Sequence, residues 1–212
     1  MKRYITELIG SFFLVLALGL TGNLLASGLM IVSIIYFGGQ LSGAHYNPAV
    51  SLAFWATRKM PAGEFWAYLS SQVAGTLVGC LFLFYLAGTT LQFSPADDSS
   101  PALYASVELL FAVILAMVYL IVFLTRDSSK DRLFGLVAGL SYAGLLMVGQ
   151  PVSGGVFNPA LAATSSIIDL FSQGDSWVYL PAYLLGPLAG GVIAGLLFNS
   201  LYQKAEPLLW EE

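Results

Sequence analysis

The sequence contains few charged residues. Asp, Glu, Lys and Arg together make up 9% of its 212 residues, whereas a soluble domain carries about 25%. Hydrophobic residues account for 58% of the chain, and the mean hydropathy is +0.80. This composition excludes an ordinary soluble domain and predicts an integral membrane protein whose main partner is the lipid bilayer. The net charge of −4 is small, and we expect no nucleic-acid partner.

Residues that commonly carry chemistry are also scarce. Cys80 is the only cysteine, so no disulfide can form within the chain. His45 is the only histidine, and the sequence has neither a cluster of metal ligands nor a nucleophile motif. We therefore expect no enzyme activity, no catalytic residue, no metal and no cofactor.

Long apolar runs, by contrast, are plentiful. Six stretches contain enough apolar residues to cross a hydrocarbon core of about 30 Å. These six predicted crossings lie at roughly 4–25, 28–42, 63–87, 102–125, 133–150 and 177–201.

All eight Lys and Arg residues fall on one side of the membrane if the N-terminus lies inside. The outer stretches near 88–101 and 151–176 contain aspartates but neither Lys nor Arg. Because basic residues accumulate on the cytoplasmic side, we predict two cytoplasmic termini in a plasma (inner) membrane. The eight basic residues are Lys2, Arg3, Arg58, Lys59, Arg126, Lys130, Arg132 and Lys204.

One short motif occurs twice within apolar sequence. Ser-Gly-Ala-His-Tyr-Asn-Pro-Ala-Val at 42–50 returns as Ser-Gly-Gly-Val-Phe-Asn-Pro-Ala-Leu at 153–161. Asn followed by Pro is a helix-start signal, because Asn caps the first turn and Pro fits the first helical position. A helix start inside a membrane leaves N–H groups without partners unless it lines a cavity. The pair of motifs therefore predicts a pore.

The duplication extends beyond these motifs. Glu7 matches Glu108 at an offset of 101 residues, and Asn47 matches Asn158 at an offset of 111. Each repeat holds three crossings and one short helix of about 11 residues, long enough to cross half a membrane. Since three crossings are an odd number, the second repeat is inverted. The two half-helices then enter from opposite faces and meet at the midplane.

We therefore predict an all-α membrane fold with six transmembrane helices and two re-entrant half-helices, arranged as an inverted repeat of three plus three crossings. Residues 1–212 form a single channel domain. The first repeat spans about 1–90 and the second about 102–204.

The chain resembles the aquaporin, or major intrinsic protein, family over nearly its whole length. The residues that carry the resemblance are the two Asn-Pro-Ala boxes with their Ser-Gly prefixes, supported by Glu7, Glu108, Gln72 and Pro187. The resemblance implies a passive channel for water and small uncharged solutes. It also implies a homotetramer with one pore in each subunit.

The boxes offer hydrogen-bond donors to a solute. If each Asn side-chain oxygen caps its own helix, the amide N–H groups of Asn47 and Asn158 remain available. Two such donors between two positive helix ends orient water and repel cations. The two boxes consist of Asn47, Pro48, Ala49, Asn158, Pro159 and Ala160.

The resemblance assigns further roles around the boxes. Glu7 and Glu108 are buried acids that hold the loop backbone. From the sequence itself, we interpret His45 as a hydrogen-bonded structural residue beside the first box, with a pore group as the alternative. Backbone carbonyls ahead of the two caps form an acceptor ladder along the pore wall. The predicted ladder residues are Gly43, Ala44, His45, Gly154, Gly155 and Val156.

The chain departs from the family at the outer constriction. Spacing from the boxes places the four constriction positions on Ser27, Leu146, Gly155 and Leu161. Relatives usually have Arg at the fourth position, and water-selective relatives have an aromatic residue and a His at the first two. The set found here predicts a wide, mostly apolar opening that admits ammonia, glycerol, urea or metalloid hydroxides. If the constriction lies elsewhere, Tyr46 or Phe157 forms it.

Two other functions remain open from the sequence. A secondary transporter also uses inverted repeats and broken helices, but it needs a charged or ion-coordinating group at the midplane. The only candidates for such a group are Glu7 and Glu108. A structural membrane protein on the same fold is the third possibility.

Overall fold

A computed structural model describes residues 1–125 and 133–202, and all regular secondary structure in these ranges is helical. Six helices are long and two are short, which confirms the predicted fold class. The eight helices are α1 (Lys2–Gly19), α2 (Leu24–Ser42), α3 (Pro48–Ala56), α4 (Ala62–Ala87), α5 (Pro101–Leu124), α6 (Phe134–Ser153), α7 (Pro159–Phe171) and α8 (Leu180–Leu201).

Five of the described helices are long and apolar enough to cross a membrane: α2, α4, α5, α6 and α8 with its preceding turn. Helix α1 has 18 residues, but it carries Lys2, Arg3 and Glu7. It packs along α4 and α2, as α5 packs along α8 and α6. The two repeats therefore assemble their long helices in the same way.

The first crossing is shorter than predicted. It was expected to reach residue 25, whereas α1 ends at Gly19. Gly22 has a φ of +61°, and Asn23 then caps α2 by accepting hydrogen bonds from the next residues. A left-handed glycine followed by an N-cap separates the two helices within four residues.

Close helix contacts are made at matching glycines of the two repeats. A Cβ placed on Gly75 of α4 would lie 2.2 Å from the Leu8 carbonyl oxygen of α1. In the second repeat, a Cβ on Gly190 of α8 would lie 2.5 Å from the Leu109 carbonyl oxygen of α5. Both distances are shorter than any side chain tolerates, so these crossings depend on glycine.

The loop between α4 and α5 is held by Asp169, near the C-terminal end of the short helix α7 and outside the six long helices. Its carboxylate accepts hydrogen bonds from Thr90 Oγ1 and Gln92 Nε2, both at 2.9 Å, and from the Ser176 N–H at 3.2 Å. Burial alone would raise the pKa of this carboxyl group, but these hydrogen bonds together lower it below its ordinary value.

Candidate pore between two opposed helix starts

The half-helices α3 and α7 begin where the two Asn-Pro pairs predicted. Asn47 Oδ1 accepts a hydrogen bond from the Ala49 N–H at 2.8 Å. Asn158 Oδ1 accepts from the N–H groups of Ala160 and Leu161 at 3.1 and 3.3 Å. Each helix has proline at its first position. With 9 and 13 residues, these helices are about 14 and 20 Å long, so neither can cross a bilayer alone.

The two helix starts are joined by a reciprocal pair of hydrogen bonds. Asn47 Nδ2 donates to the Phe157 carbonyl at 2.8 Å, and Asn158 Nδ2 donates to the Tyr46 carbonyl at 2.9 Å. Sequence reasoning had left both amide groups free for a solute. Because an amide nitrogen carries two protons, each Asn uses one N–H to join the two loops and has a second N–H beside it.

The loops ahead of the boxes have the same backbone conformation. Gly43 and Gly154 have φ angles of +82° and +86°, and Tyr46 and Phe157 both have +49°. The left-handed region is unfavourable for Tyr and Phe, so surrounding contacts must hold this conformation. The loop backbone is therefore non-helical on both sides of the midplane, as the resemblance implies for a ladder of carbonyls.

Glu7 supplies those contacts in the first repeat. Its Oε1 accepts from Ser42 Oγ at 2.6 Å and from the His45 N–H at 3.0 Å. Its Oε2 accepts from the Tyr46 N–H at 2.7 Å and from Gln72 Nε2 at 2.8 Å. The side chain is fully buried, so the backbone N–H groups of His45 and Tyr46 would lose their acceptor if the carboxylate were removed.

Glu108 does the same in the second repeat. Its Oε1 accepts from Ser153 Oγ at 2.8 Å and from the Val156 N–H at 3.0 Å, and Oε2 accepts from the Phe157 N–H at 2.7 Å. The residue that matches Gln72 is Pro187, which has no side-chain donor. Glu108 thus binds three donors instead of four, and these contacts support a structural role for both acids.

A small cavity lies where the two half-helices meet. Its volume is about 10 Å³, close to the space that one water molecule needs. The box residues Asn47 and Asn158 and the ring of His45 supply polar wall groups, and aliphatic side chains supply most of the rest. The lining residues are Leu14, Ile31, Ile34, His45, Tyr46, Asn47, Val50, Leu115, Tyr119, Tyr142 and Asn158.

His45 has a hydrogen-bonded side and an unpartnered side. Its Nδ1 lies 3.0 Å from Ser51 Oγ, which also accepts from Gln72 Nε2 at 3.0 Å. With Ser51 accepting from Gln72, the Ser51 hydroxyl proton is available for Nδ1. The buried Nε2 has no hydrogen-bond partner in the part of the chain that the structure describes. The first contact supports the structural role expected for His45, and the ring also belongs to the cavity wall.

The four outer-constriction positions do not line this cavity. Ser27, Leu146 and Leu161 are at most 2% exposed, and Ser27 Oγ donates to the Ala17 carbonyl at 2.6 Å. Leu161 packs in one buried apolar group with Val156, whereas Leu146 belongs to another. A wide opening at these positions therefore stays a prediction.

Sequence reasoning missed two tyrosines in the cavity wall, Tyr119 on α5 and Tyr142 on α6. The Tyr142 hydroxyl donates to the Val156 carbonyl at 3.3 Å. That carbonyl belongs to the predicted acceptor ladder, and the hydrogen bond uses one of its two lone pairs. The available signal was spacing: Tyr142 lies four residues before Leu146, and residues four apart share one face of a helix.

Comparisons with known proteins agree with this geometry. A family model described as "Major intrinsic protein" matches residues 1–198. Aquaporin AqpM of Methanothermobacter marburgensis is 28% identical, and the match covers 94% of this chain and 97% of the relative. Aquaporin Z of Bradyrhizobium diazoefficiens is 29% identical, with 96% and 95% covered.

A solved structure has the same fold. The aquaglyceroporin from Plasmodium falciparum superimposes with a TM-score of 0.82, covering 94% of this chain and 96% of its own. The two sequences are 23% identical. The similarity confirms the arrangement of the helices.

Proposed function

Because the chain belongs to the major intrinsic protein family, we propose that its pore runs between the two Asn-Pro-Ala boxes and through the cavity at the midplane. The chain is a passive membrane channel for water and small uncharged solutes, as predicted from the sequence. The observation that carries the location of the pore is the pair of opposed helix starts, which share one water-sized space.

The boxes act on a solute through donors and through charge. Asn47 and Asn158 each retain one N–H, and both side chains line the cavity. A water molecule between them turns its oxygen toward these donors. The positive ends of α3 and α7 meet at the same place, so a cation or proton there is repelled. Water and uncharged solutes pass because they have no net charge to be repelled.

Acceptors and outer positions complete the proposed pore. The carbonyls that act as acceptors for the solute are those of Gly43, Ala44, His45, Gly154, Gly155 and Val156, and that of Val156 also accepts from the Tyr142 hydroxyl. Ser27, Leu146, Gly155 and Leu161 form the outer part of the pore. Without an arginine there, the outer part adds no cation barrier, and the midplane carries the barrier alone.

The proposal includes assembly and orientation. By family resemblance the chain forms a homotetramer with one pore per subunit. The protein lies in the plasma membrane with its N-terminus in the cytoplasm. This orientation is supported by the basic residues Lys2, Arg3, Arg58 and Lys59. The other four basic residues and the C-terminal segment 203–212 lie outside the described residues.

A coupled transporter is the less favoured alternative. Coupling would need a charged group that faces the solute at the midplane. None of the described residues that line the cavity carries a carboxylate, and Glu7 and Glu108 are both bound to loop donors. The family is one of membrane channels rather than enzymes. These features favour passive flux.

Proteoliposomes test this function directly. In a sucrose gradient, vesicles with the protein are expected to shrink several-fold faster than protein-free vesicles, as followed by stopped-flow light scattering. The same vesicles are then exposed to gradients of ammonia, urea and glycerol. Equal rates with and without protein would contradict the channel. A solute flux that follows a sodium or proton gradient would instead favour the transporter.

A further inference from the structure

Two tyrosines face the midplane cavity from neighbouring helices. Tyr119 of α5 and Tyr142 of α6 both line the space that also contacts Asn47 and Asn158. They are 3% and 4% exposed, so almost all of their surface is covered. Helices α5 and α6 contribute three described residues to the cavity wall: Leu115, Tyr119 and Tyr142. The two tyrosines have the largest side chains of the three.

Both rings are fixed in position. The Tyr142 hydroxyl donates to the Val156 carbonyl at 3.3 Å, which ties α6 to the loop ahead of the second box. The Tyr119 ring stacks on Phe123 with 6.0 Å between centroids and 22° between planes. Tyr142 cannot move aside without breaking its hydrogen bond, and Tyr119 cannot do so without losing its contact with Phe123. The space between the rings and the boxes is therefore constrained by rigid groups.

The space is small relative to the solutes in question. About 10 Å³ accommodates one water-sized molecule. Ammonia has the same number of heavy atoms as water, whereas glycerol has a hydroxyl on each of three carbons. Two of the outer positions are much smaller: Ser27 has a short side chain, and Gly155 has none. The tyrosine side of the midplane thus brings more bulk to the pore than those two positions do.

We propose that Tyr142 and Tyr119 set the size limit of this channel at the midplane, so that water and ammonia pass and glycerol is excluded. The proposal rests on the proposed function, because it concerns the same pore. It narrows the class of solute and places the selecting residues on α5 and α6 instead of at the outer positions.

The test compares glycerol and water fluxes in proteoliposomes of the full chain. Tyr142→Val and Tyr119→Val are expected to raise glycerol permeability about tenfold, the size of effect that a change in pocket volume produces. Tyr142→Phe keeps the ring and frees the Val156 carbonyl, so its glycerol permeability should stay within about twofold of the parent. Tyr85→Val is the matched control, since Tyr85 is 81% exposed.

Water flux in sucrose shows whether each variant is folded and separates the two proposals. If Tyr142→Val loses water flux, Tyr119→Val from the facing helix decides the question. Unchanged glycerol flux in a variant that conducts water would overturn the size limit. So would a parent that conducts glycerol as readily as the valine variants do. A parent without water flux would overturn the proposed function itself.

Discussion

Replacing Asn158 by aspartate is expected to make the channel leak protons. The substitution keeps an oxygen that caps α7 but places a negative charge where two positive helix ends meet. A unit charge beside the conduction path lowers the barrier for a cation by at least about 1 kcal/mol, or roughly fivefold in rate. The leak is measured with a pH-sensitive dye inside proteoliposomes under a pH gradient and a counter-ion pathway.

Asn23→Asp is the matched control for this variant. Asn23 also caps a helix, accepting from the N–H groups of Leu25 and Ala26, but it is exposed at the start of α2. It should leave the proton leak at the level of the parent. Adding Leu161→Arg to Asn158→Asp should reduce the leak again, because it adds a cation barrier at the outer part. Equal leak in the parent and Asn158→Asp would show that the helix ends do not form the barrier.

Glu7→Gln is expected to give the largest loss of stability of any single change at the site. A glutamine side chain has one carbonyl oxygen and one NH₂ group. If its carbonyl stays on Ser42 and His45, the NH₂ group faces the donors of Tyr46 and Gln72. Each unpaired buried donor costs about 1–3 kcal/mol. The effect is measured as a change in melting temperature in detergent, where unfolding is monitored as the loss of monodisperse protein.

Two further substitutions calibrate this result. Glu108→Gln should cost less, because only the Phe157 N–H depends on its second oxygen. Glu64→Gln should change little, because its carboxylate accepts from the Tyr4 hydroxyl near the surface and a glutamine oxygen can do the same. We therefore expect the highest melting temperature for Glu64→Gln, a lower one for Glu108→Gln and the lowest for Glu7→Gln. A Glu7→Gln protein as stable as the parent would contradict the assigned role.

Much of the fold followed from local signals in the sequence. Asn-Pro within apolar sequence predicted the starts of both half-helices, because capping depends on neighbouring residues only. Hydropathy and the offset between repeats predicted the long helices and their inversion. The end of α1 was misplaced, since Gly22 and Asn23 break the helix without interrupting the apolar run.

The site was harder to predict because its contacts join residues far apart in sequence. The reciprocal hydrogen bonds of Asn47 and Asn158 join residues that are more than a hundred positions apart in the sequence. No local sequence pattern predicts them. Tyr142 lies within a mostly apolar helix, and only the folded structure shows that its hydroxyl meets Val156. Spacing from the boxes identified positions such as Leu161, but it could not show which positions line a cavity.

The most direct test of the central claim is whether a thiol in the midplane cavity blocks water. Val50 lines the cavity, and cysteine is close to it in size. Mercuric chloride is small and uncharged, and it is expected to reduce the water flux of Val50→Cys several-fold, with recovery after a thiol reductant. The parent, whose Cys80 is buried, and Val178→Cys, at an exposed position, should keep their flux. A Val50→Cys protein that is labelled by mercury and still conducts water at the full rate would contradict a pore between the boxes.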